Sequence, residues 1–383
     1  MFLKDQDKNT VEYYKNILQS VGSLSRLFSD SRTPYLYYRV AENLFCKSFN
    51  ANNLSRSDVA IDASWQRTGI GLKTFLKTTN SKLEKVAEFN SHSSSIRRLN
   101  PEEQVLEICR LRNERLETSQ TIYGLTSLMY HCVVRDEGVM SFVEEPMRYI
   151  DISSLRITST SDKSLKFHDK NEHYSFNVSK STLFKRFNVD NPIDSVVVNI
   201  LENPFAVLED LLKIKDDLGL VFSTSNSNKD YVVLPLYSTR LDENSNKVVP
   251  EKSGLNQWNA GGRARNIEEV YIPIPAFIHQ HVSNFFPNRD EVFELILPDS
   301  RVIQAKICQD GGKALMSNPN TDLGQWMLRD VLKLQEGELL TYKKLQDIGL
   351  DSVVVYKLGA HRYKIDFAKT GTFEQFQNSF KQK

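Results

Sequence analysis

The chain has 383 residues, 40% of them apolar and 25% charged, with a formal net charge of +1. This is ordinary globular composition with length enough for two domains, which excludes a disordered or collagen-like chain. The near-neutral balance excludes a globally basic protein, so any nucleic-acid surface must be local, with the acids gathered elsewhere.

Four cysteines, Cys46, Cys109, Cys132 and Cys308, are scattered without a CxxC, which argues against a zinc cluster or a disulfide scaffold. The N-terminal MFLKDQDKNT lacks an apolar run, and no stretch is apolar enough for a membrane span. A reducing cytosol without a membrane partner is the expectation. Residues 9–29 read as a helix capped by Asn9 or Thr10, with Val11, Tyr14, Ile17, Leu18, Val21 and Leu24 as its apolar stripe. Pro34 opens a second helix over 35–49. Its inner face is Tyr38, Ala41, Phe45 and Phe49, and Glu42 falls on that same face. A carboxylate in an aromatic stripe needs a partner, either an arginine such as Arg39 or Arg56, or a divalent metal.

Residues 59–75, VAIDASWQRTGIGLKTF, read as two short strands joined by a loop over 63–69 that holds Trp65, Gln66 and Arg67. Asp62 ends the first strand. In the second, a period of two puts Ile70, Leu72, Thr74 and Leu76 on one face and Gly71, Lys73 and Phe75 on the other. A lysine on an apolar strand beside an aspartate is costly unless paired or bound to metal. The stretch KLEKVAEFN reads as a helix with Glu84 and Glu88 one turn apart.

This hairpin resembles the core of the PD-(D/E)XK nucleases. In that family an aspartate at a strand end binds magnesium, and a lysine on the next strand orients or activates the attacking water. The resemblance implies those roles for Asp62 and Lys73. A second acid normally stands two residues before the lysine, where this chain has Gly71. Some members move that acid to the following helix, and their spacing favours Glu88 over Glu84. Members often carry a further acid on the preceding helix, here Glu42. The implied Mg2+ site is therefore Asp62, Glu88 and Glu42. An ordinary ion pair between Asp62 and Lys73 at a sheet edge is the other reading of the same residues.

Further on, Pro101 opens a long helix through about Gln120 with Val105, Ile108, Leu111 and Leu116 as its spine. RYIDISSLRITS, SLKFHD and HYSFNV read as a β-meander, SKSTLFKRFN as a short basic segment, and a helix ends near Gly219. His168-Asp169-Lys170 gives an HxK, but the aspartate that phospholipase-D-type nucleases need five residues later is Ser175, so that chemistry is excluded. The polar run SNSNKD marks a boundary, giving domains 1–224 and 225–383. Beyond it, short strands separated by Pro, Gly and Asn turns read as an all-β sandwich or barrel, with helices at TDLGQWMLRDVL and near TYKKLQDIG.

Two loops in this second half carry groups suited to phosphates and base edges. One, GLNQWNAGGRARN, holds Trp258, Asn259, Arg263, Arg265 and Asn266. The other, CQDGGKALMSNP, holds Gln309, Lys313, Ser317 and Asn318. With FFPNRD and LGQWMLRDVL, these motifs resemble the C-terminal recognition domain of the NgoFVII-type restriction endonucleases, a B3-like pseudobarrel. The resemblance implies two arms that grip the major groove, one around 258–266 and one around 309–318. It covers roughly the last 130 to 150 residues.

The expected protein joins an α/β nuclease domain, a mixed sheet flanked by helices, to an all-β B3-like domain. The resemblances imply a type II restriction endonuclease of a prokaryotic cytoplasm. It would hydrolyse double-stranded DNA with Mg2+ as a homodimer, beside a separate methyltransferase. The alternatives are a sequence-specific DNA-binding regulator without nuclease activity, for which Gly71 argues, and a modification-dependent or nicking endonuclease.

Overall fold

Asp7 starts the first helix. Its carboxylate accepts the Thr10 N–H at 2.9 Å, so the cap is Asp7 and not Asn9 or Thr10. Helix α1 runs Lys8–Ser23. The computed structural model describes residues 1–55, 59–217, 231–243, 245–256, 266 and 268–381. By internal contacts the chain divides into two units: Met1–Ser55, Ala60–Asn113 and Thr126–Asn226 form the first, and Arg56–Val59, Glu114–Leu125 and Ser227–Lys383 the second. Among the described residues no helix is long and apolar enough to cross a membrane.

In the first unit α2 (Tyr38–Phe49) begins later than expected, because Tyr37 is still extended. It is followed by β1 (Asn52–Asn53), β2 (Ala63–Trp65), β3 (Thr68–Leu76) and β4 (Ser81–Glu88). A short helix α3 (Ser93–Ile96) and the long α4 (Pro101–Tyr123), which from Glu114 on counts with the second unit, precede β5 (Ser127–Asp136) and β6 (Val139–Pro146). Then come β7 (Arg156–Thr160), β8 (Ser164–His168), β9 (His173–Asn177), β10 (Thr182–Asn188), β11 (Asp194–Val197) and α5 (Phe205–Asp217). One mixed sheet has the order β1-β2-β3-β5-β6-β11, with β3 and β5 parallel. A second, antiparallel sheet has the order β4-β10-β9-β8-β7.

Three expectations are corrected here. Residues 63–65 are a strand, so the loop shrinks to Gln66 and Arg67, and Asp62 precedes β2 instead of ending a strand. Residues 81–88 are a strand, although lysine and glutamate favour helix. Pairing with β10 from Ser81–Asn188 to Glu88–Thr182 overrides that local preference. The basic segment SKSTLFKRFN supplies β10, which sits between β4 and β9.

Both faces of β3 are covered. Ile70 and Leu72 pack with Tyr14, Leu18, Phe45, Phe49 and Phe142 in a core under α1 and α2. On the other face Phe75 meets Phe187 of β10, with ring centroids 6.0 Å apart. A separate core holds Val105, Ile108 and Leu111 of α4 against Leu165, Phe167, Phe176 and Leu183.

The second unit contains β12 (Tyr231–Pro235), β13 (Ile272–Pro273), α6 (Ala276–His281), β14 (Val292–Ile296), β15 (Val302–Cys308) and β16 (Ala314–Ser317). After these come α7 (Asp322–Gly324), which continues as a π-helical turn over Gln325–Val331, then α8 (Tyr342–Ile348), β17 (Leu350–Gly359), β18 (Arg362–Lys369) and α9 (Thr372–Lys381). Among the described residues its seven strands run β12-β17-β18-β14-β15-β16-β13. The first and last of them approach each other, so the sheet nearly closes into a barrel. Trp326 and Phe367 fill its interior. The helices α6 and α9 were not legible as such in an all-β pattern.

Candidate functional site

Asp62 is locked to β3 by two hydrogen bonds. Its N–H donates to Ile70 O at 2.9 Å, and its Oδ2 accepts the Leu72 N–H at 2.7 Å. Lys73 Nζ lies 3.9 Å from that same Oδ2, and each side chain is 25% exposed. The pair is thus close, partly open to solvent and not a tight hydrogen bond. Glu42 of α2 is buried. Burial raises its pKa, and the charge of Asp62 raises it further, against the Arg39 guanidinium that pulls it down. Arg39 Nη1 donates to Glu42 Oε2 at 3.0 Å and to Ser55 O at 2.8 Å. Cys46, one turn along α2, has its thiol pushed up to about 12 by burial and then by Glu42 and Asp62. Glu42 and Asp62 therefore share one electrostatic neighbourhood, as does Lys73 with Asp62.

The position of the missing acid is filled by packing. A Cβ on Gly71 would lie 2.6 Å from Met147 Cε and 2.8 Å from the Tyr130 ring. The two glutamates on 81–88 separate. Glu88 pairs with Lys85 at 2.9 Å on the edge strand. Glu84 is partly buried, and burial raises its pKa while the charges of Lys82, Lys73 and Arg135 lower it. Glu84 thus lies in the field of Lys73. Among the described residues no group of three His, Cys, Asp or Glu side chains is placed to hold a metal ion. What remains is the pair Glu42 and Asp62. Mg2+ is commonly held by one or two carboxylates with water and substrate phosphate completing its shell, so this donor pair fits it.

Sequence reasoning missed a buried lysine. Lys185 of β10 is 3% exposed and bonds Glu145, and it lies 2.9 Å from Glu172. Burial would lower its pKa, but the charges of Glu145 and Glu172 outweigh that and raise it. The signal was a lysine flanked by phenylalanines in TLFKRF. A second buried chain links Tyr14 OH, His131 Nε2 at 3.1 Å and, from His131 Nδ1, Glu144 Oε1 at 3.2 Å. The Lys185 set is closed by its own partners, whereas Glu144 keeps a buried Oε2 without a hydrogen-bond partner.

In the second unit a cleft of about 390 Å3 is lined by Tyr237, Lys252, Gly254, Tyr271, Gln309 and Lys313 among others. It brings the residues that lead into the first loop together with two of the second. Gly254 is required there, since a Cβ would sit 2.2 Å from the Tyr271 ring. The second loop is a tight turn. Gln309, Gly311 and Gly312 all have positive φ, and Gly312 N–H donates to Gln309 O at 3.1 Å. That turn leaves Gln309 and Lys313 exposed. Asn318 is exposed as well, while its N–H donates to Gln304 O at 2.8 Å.

Ser317 is a correction: it is fully buried, and its hydroxyl accepts the Leu323 N–H at 2.9 Å, so it is spent on the fold. Asn266 is exposed, and its Oδ1 accepts the Glu268 N–H at 3.0 Å. Trp258, Asn259, Arg263 and Arg265 lie outside the described residues. Lys252 was not singled out in the sequence, where it stands as one lysine in a turn.

Residues 230–359 match the family model of the NgoFVII C-terminal B3-like DNA-binding domain. The match takes in β12 through β17, and the nearly closed sheet accords with a B3-like domain. Both the cleft and the Gln309–Lys313 turn belong to this B3-like region. No curated protein matches the chain.

Proposed function

We propose that this protein is a sequence-specific restriction endonuclease, with residues 1–224 as the cleaving part and 225–383 as the reading part. The observation that carries the reading is the match of residues 230–359 to a restriction-enzyme DNA-binding domain. The Gln309–Lys313 turn supplies an amide and an ammonium to the duplex, and Asn266 and Asn318 add exposed amides. Trp258, Asn259, Arg263 and Arg265 are proposed as the other arm.

For cleavage, the mixed sheet with α2 supports the PD-(D/E)XK reading, with Asp62, Lys73 and Glu42 as its site. Mg2+ held by Asp62 and Glu42 would polarise a phosphoryl oxygen and lower the pKa of water. Lys73 orients the attacking water, and its ammonium offsets charge that builds on the phosphorus oxygens. Arg39 keeps Glu42 aimed and compensated. Water adds to phosphorus, the bond to the 3′ oxygen breaks, and the products are a 5′-phosphate and a 3′-hydroxyl. One such site cuts one strand, so double-strand cleavage calls for a homodimer or two sequential cuts. A separate methyltransferase would protect the host.

The walled-in Gly71 favours a second reading, a DNA-binding regulator that does not cut. Phage DNA incubated with the full chain in Mg2+ and in EDTA separates the two. Discrete fragments in Mg2+ alone support the endonuclease, whereas specific retention of fragments without cutting supports the regulator.

A further inference from the structure

The sheet β4-β10-β9-β8-β7 has two unlike faces. Leu165, Phe167, Tyr174, Phe176 and Leu183 point into the core under α4, and Lys185 and Phe187 are buried with them on the inner side. The alternate residues of the same strands form the outer face. Register sets Arg156 opposite His168, and His168 opposite His173. Tyr174 stands opposite Lys185, which carries Arg186, the next residue of β10, to the level of His173. A row Arg156, His168, His173, Arg186 therefore crosses four adjacent strands, a span of roughly 14 Å at the usual strand spacing.

The two imidazole centroids are 5.2 Å apart, and His168 Nδ1 donates to Asp169 O at 2.9 Å. Lys166, two residues from His168, adds a third cation to this face. Arg156, Lys166, His173 and Arg186 are exposed. Among the described residues, Arg156, Lys166 and Arg186 enter no ion pair, in contrast to Lys15 with Asp194, Lys77 with Asp136 and Arg148 with Glu172. Three nearby glutamates face other cations. Glu172 faces Lys185 and Arg148, Glu84 lies in the field of Lys73, and Glu88 holds Lys85. Like charges on neighbouring strands cost stability, so a basic row without counter-charges is suited to an external anion.

We propose that this outer face is a second nucleic-acid contact, which grips the phosphate backbone of duplex DNA without reading its sequence. Ser175, Asn177 and Asn188 on the same face offer neutral donors for the same phosphates. The proposal rests on the DNA reading given above and assigns part of the affinity to the first unit.

The test is the salt dependence of binding of the full chain to a labelled duplex of mixed sequence, in EDTA, by fluorescence anisotropy. Arg156→Ala with Arg186→Ala should lower the slope of log K against log salt by about one unit per arginine. The affinity lost between about 50 and 200 mM salt should then shrink about 3.5-fold per arginine. Arg156→Lys with Arg186→Lys should keep the slope. Lys4→Ala with Lys8→Ala removes the same charge off this sheet and should also keep it. A wild-type slope in the alanine pair, or an equal fall in the Lys4 and Lys8 control, overturns the proposal while the DNA reading stands. No duplex binding by the wild type at low salt overturns both.

Discussion

Lys73 and Lys313 invite comparison. Lys73 sits within β3, one quarter exposed, with its ammonium 3.9 Å from an aspartate that is itself bonded to the same strand. Lys313 ends a turn with two glycines and is exposed. A charge inside a sheet must be matched by its surroundings, so its role is set by neighbours distant in sequence. A charge on a tight turn is held out by local backbone, so its role is written into adjacent residues. The first unit therefore exposes its chemistry only in three dimensions, and the second carries it in contiguous motifs.

That contrast predicts which measurements each lysine moves. Lys73→Ala or Asp62→Ala should cut the cleavage rate by about 10²–10³-fold or more with DNA affinity kept. Lys313→Ala should weaken binding by about 1–3 kcal/mol and leave the rate at saturating enzyme near wild type. A loss of binding in Lys73→Ala, by anisotropy, would erase the division of labour.

Asp366, a buried carboxyl of the second unit, is pushed from 3.8 up to about 6 by burial, against the Tyr123 hydroxyl that donates to it at 2.9 Å. A carboxyl raised on folding favours the folded state while protonated. Its contribution is complete below the unfolded value and is lost as pH rises from 3.8 through about 6. Asp366→Asn keeps an acceptor for Tyr123 and removes the ionisation cost. It should gain on the order of 3 kcal/mol or less at pH 7 and flatten the stability slope between these two values, read by urea titration at several pH values.

The glycines offer a smaller test of the two units. A Cβ on Gly324 would lie 1.9 Å from the Glu268 carbonyl, a backbone atom, whereas one on Gly71 meets the flexible end of Met147 first. Gly324→Ala should cost about 1–3 kcal/mol, and Gly71→Ala less, by the shift in urea midpoint. Gly71→Glu should not raise cleavage, since its side chain would have to displace Met147 and the Tyr130 ring. The smallest effect expected is on the strand glutamates. Glu84→Gln should lower cleavage a few-fold through its field at Lys73, and Glu88→Gln should leave it unchanged in the same gel assay.

The comparison also explains what the sequence disclosed. The period of two on β3 placed Ile70 and Leu72 in one core and Phe75 on the opposite face, because alternation is local. KLEKVAEFN misled because its residues favour helix in isolation, and only β10, a hundred residues later, makes it a strand. The fully covered outer face of Gly71 was invisible for the same reason, since Met147 and Tyr130 come from other elements. Ser317 looked like its neighbours in a polar loop, yet β16 turns it inward to cap the start of α7.

The most direct measurement is digestion of phage DNA by the wild type and by Lys73→Ala, side by side in Mg2+, with binding followed on the same DNA. Discrete wild-type fragments, with binding but no fragments from Lys73→Ala, are the predicted result. Fragments that persist in Lys73→Ala would contradict a cleavage site at Asp62 and Lys73.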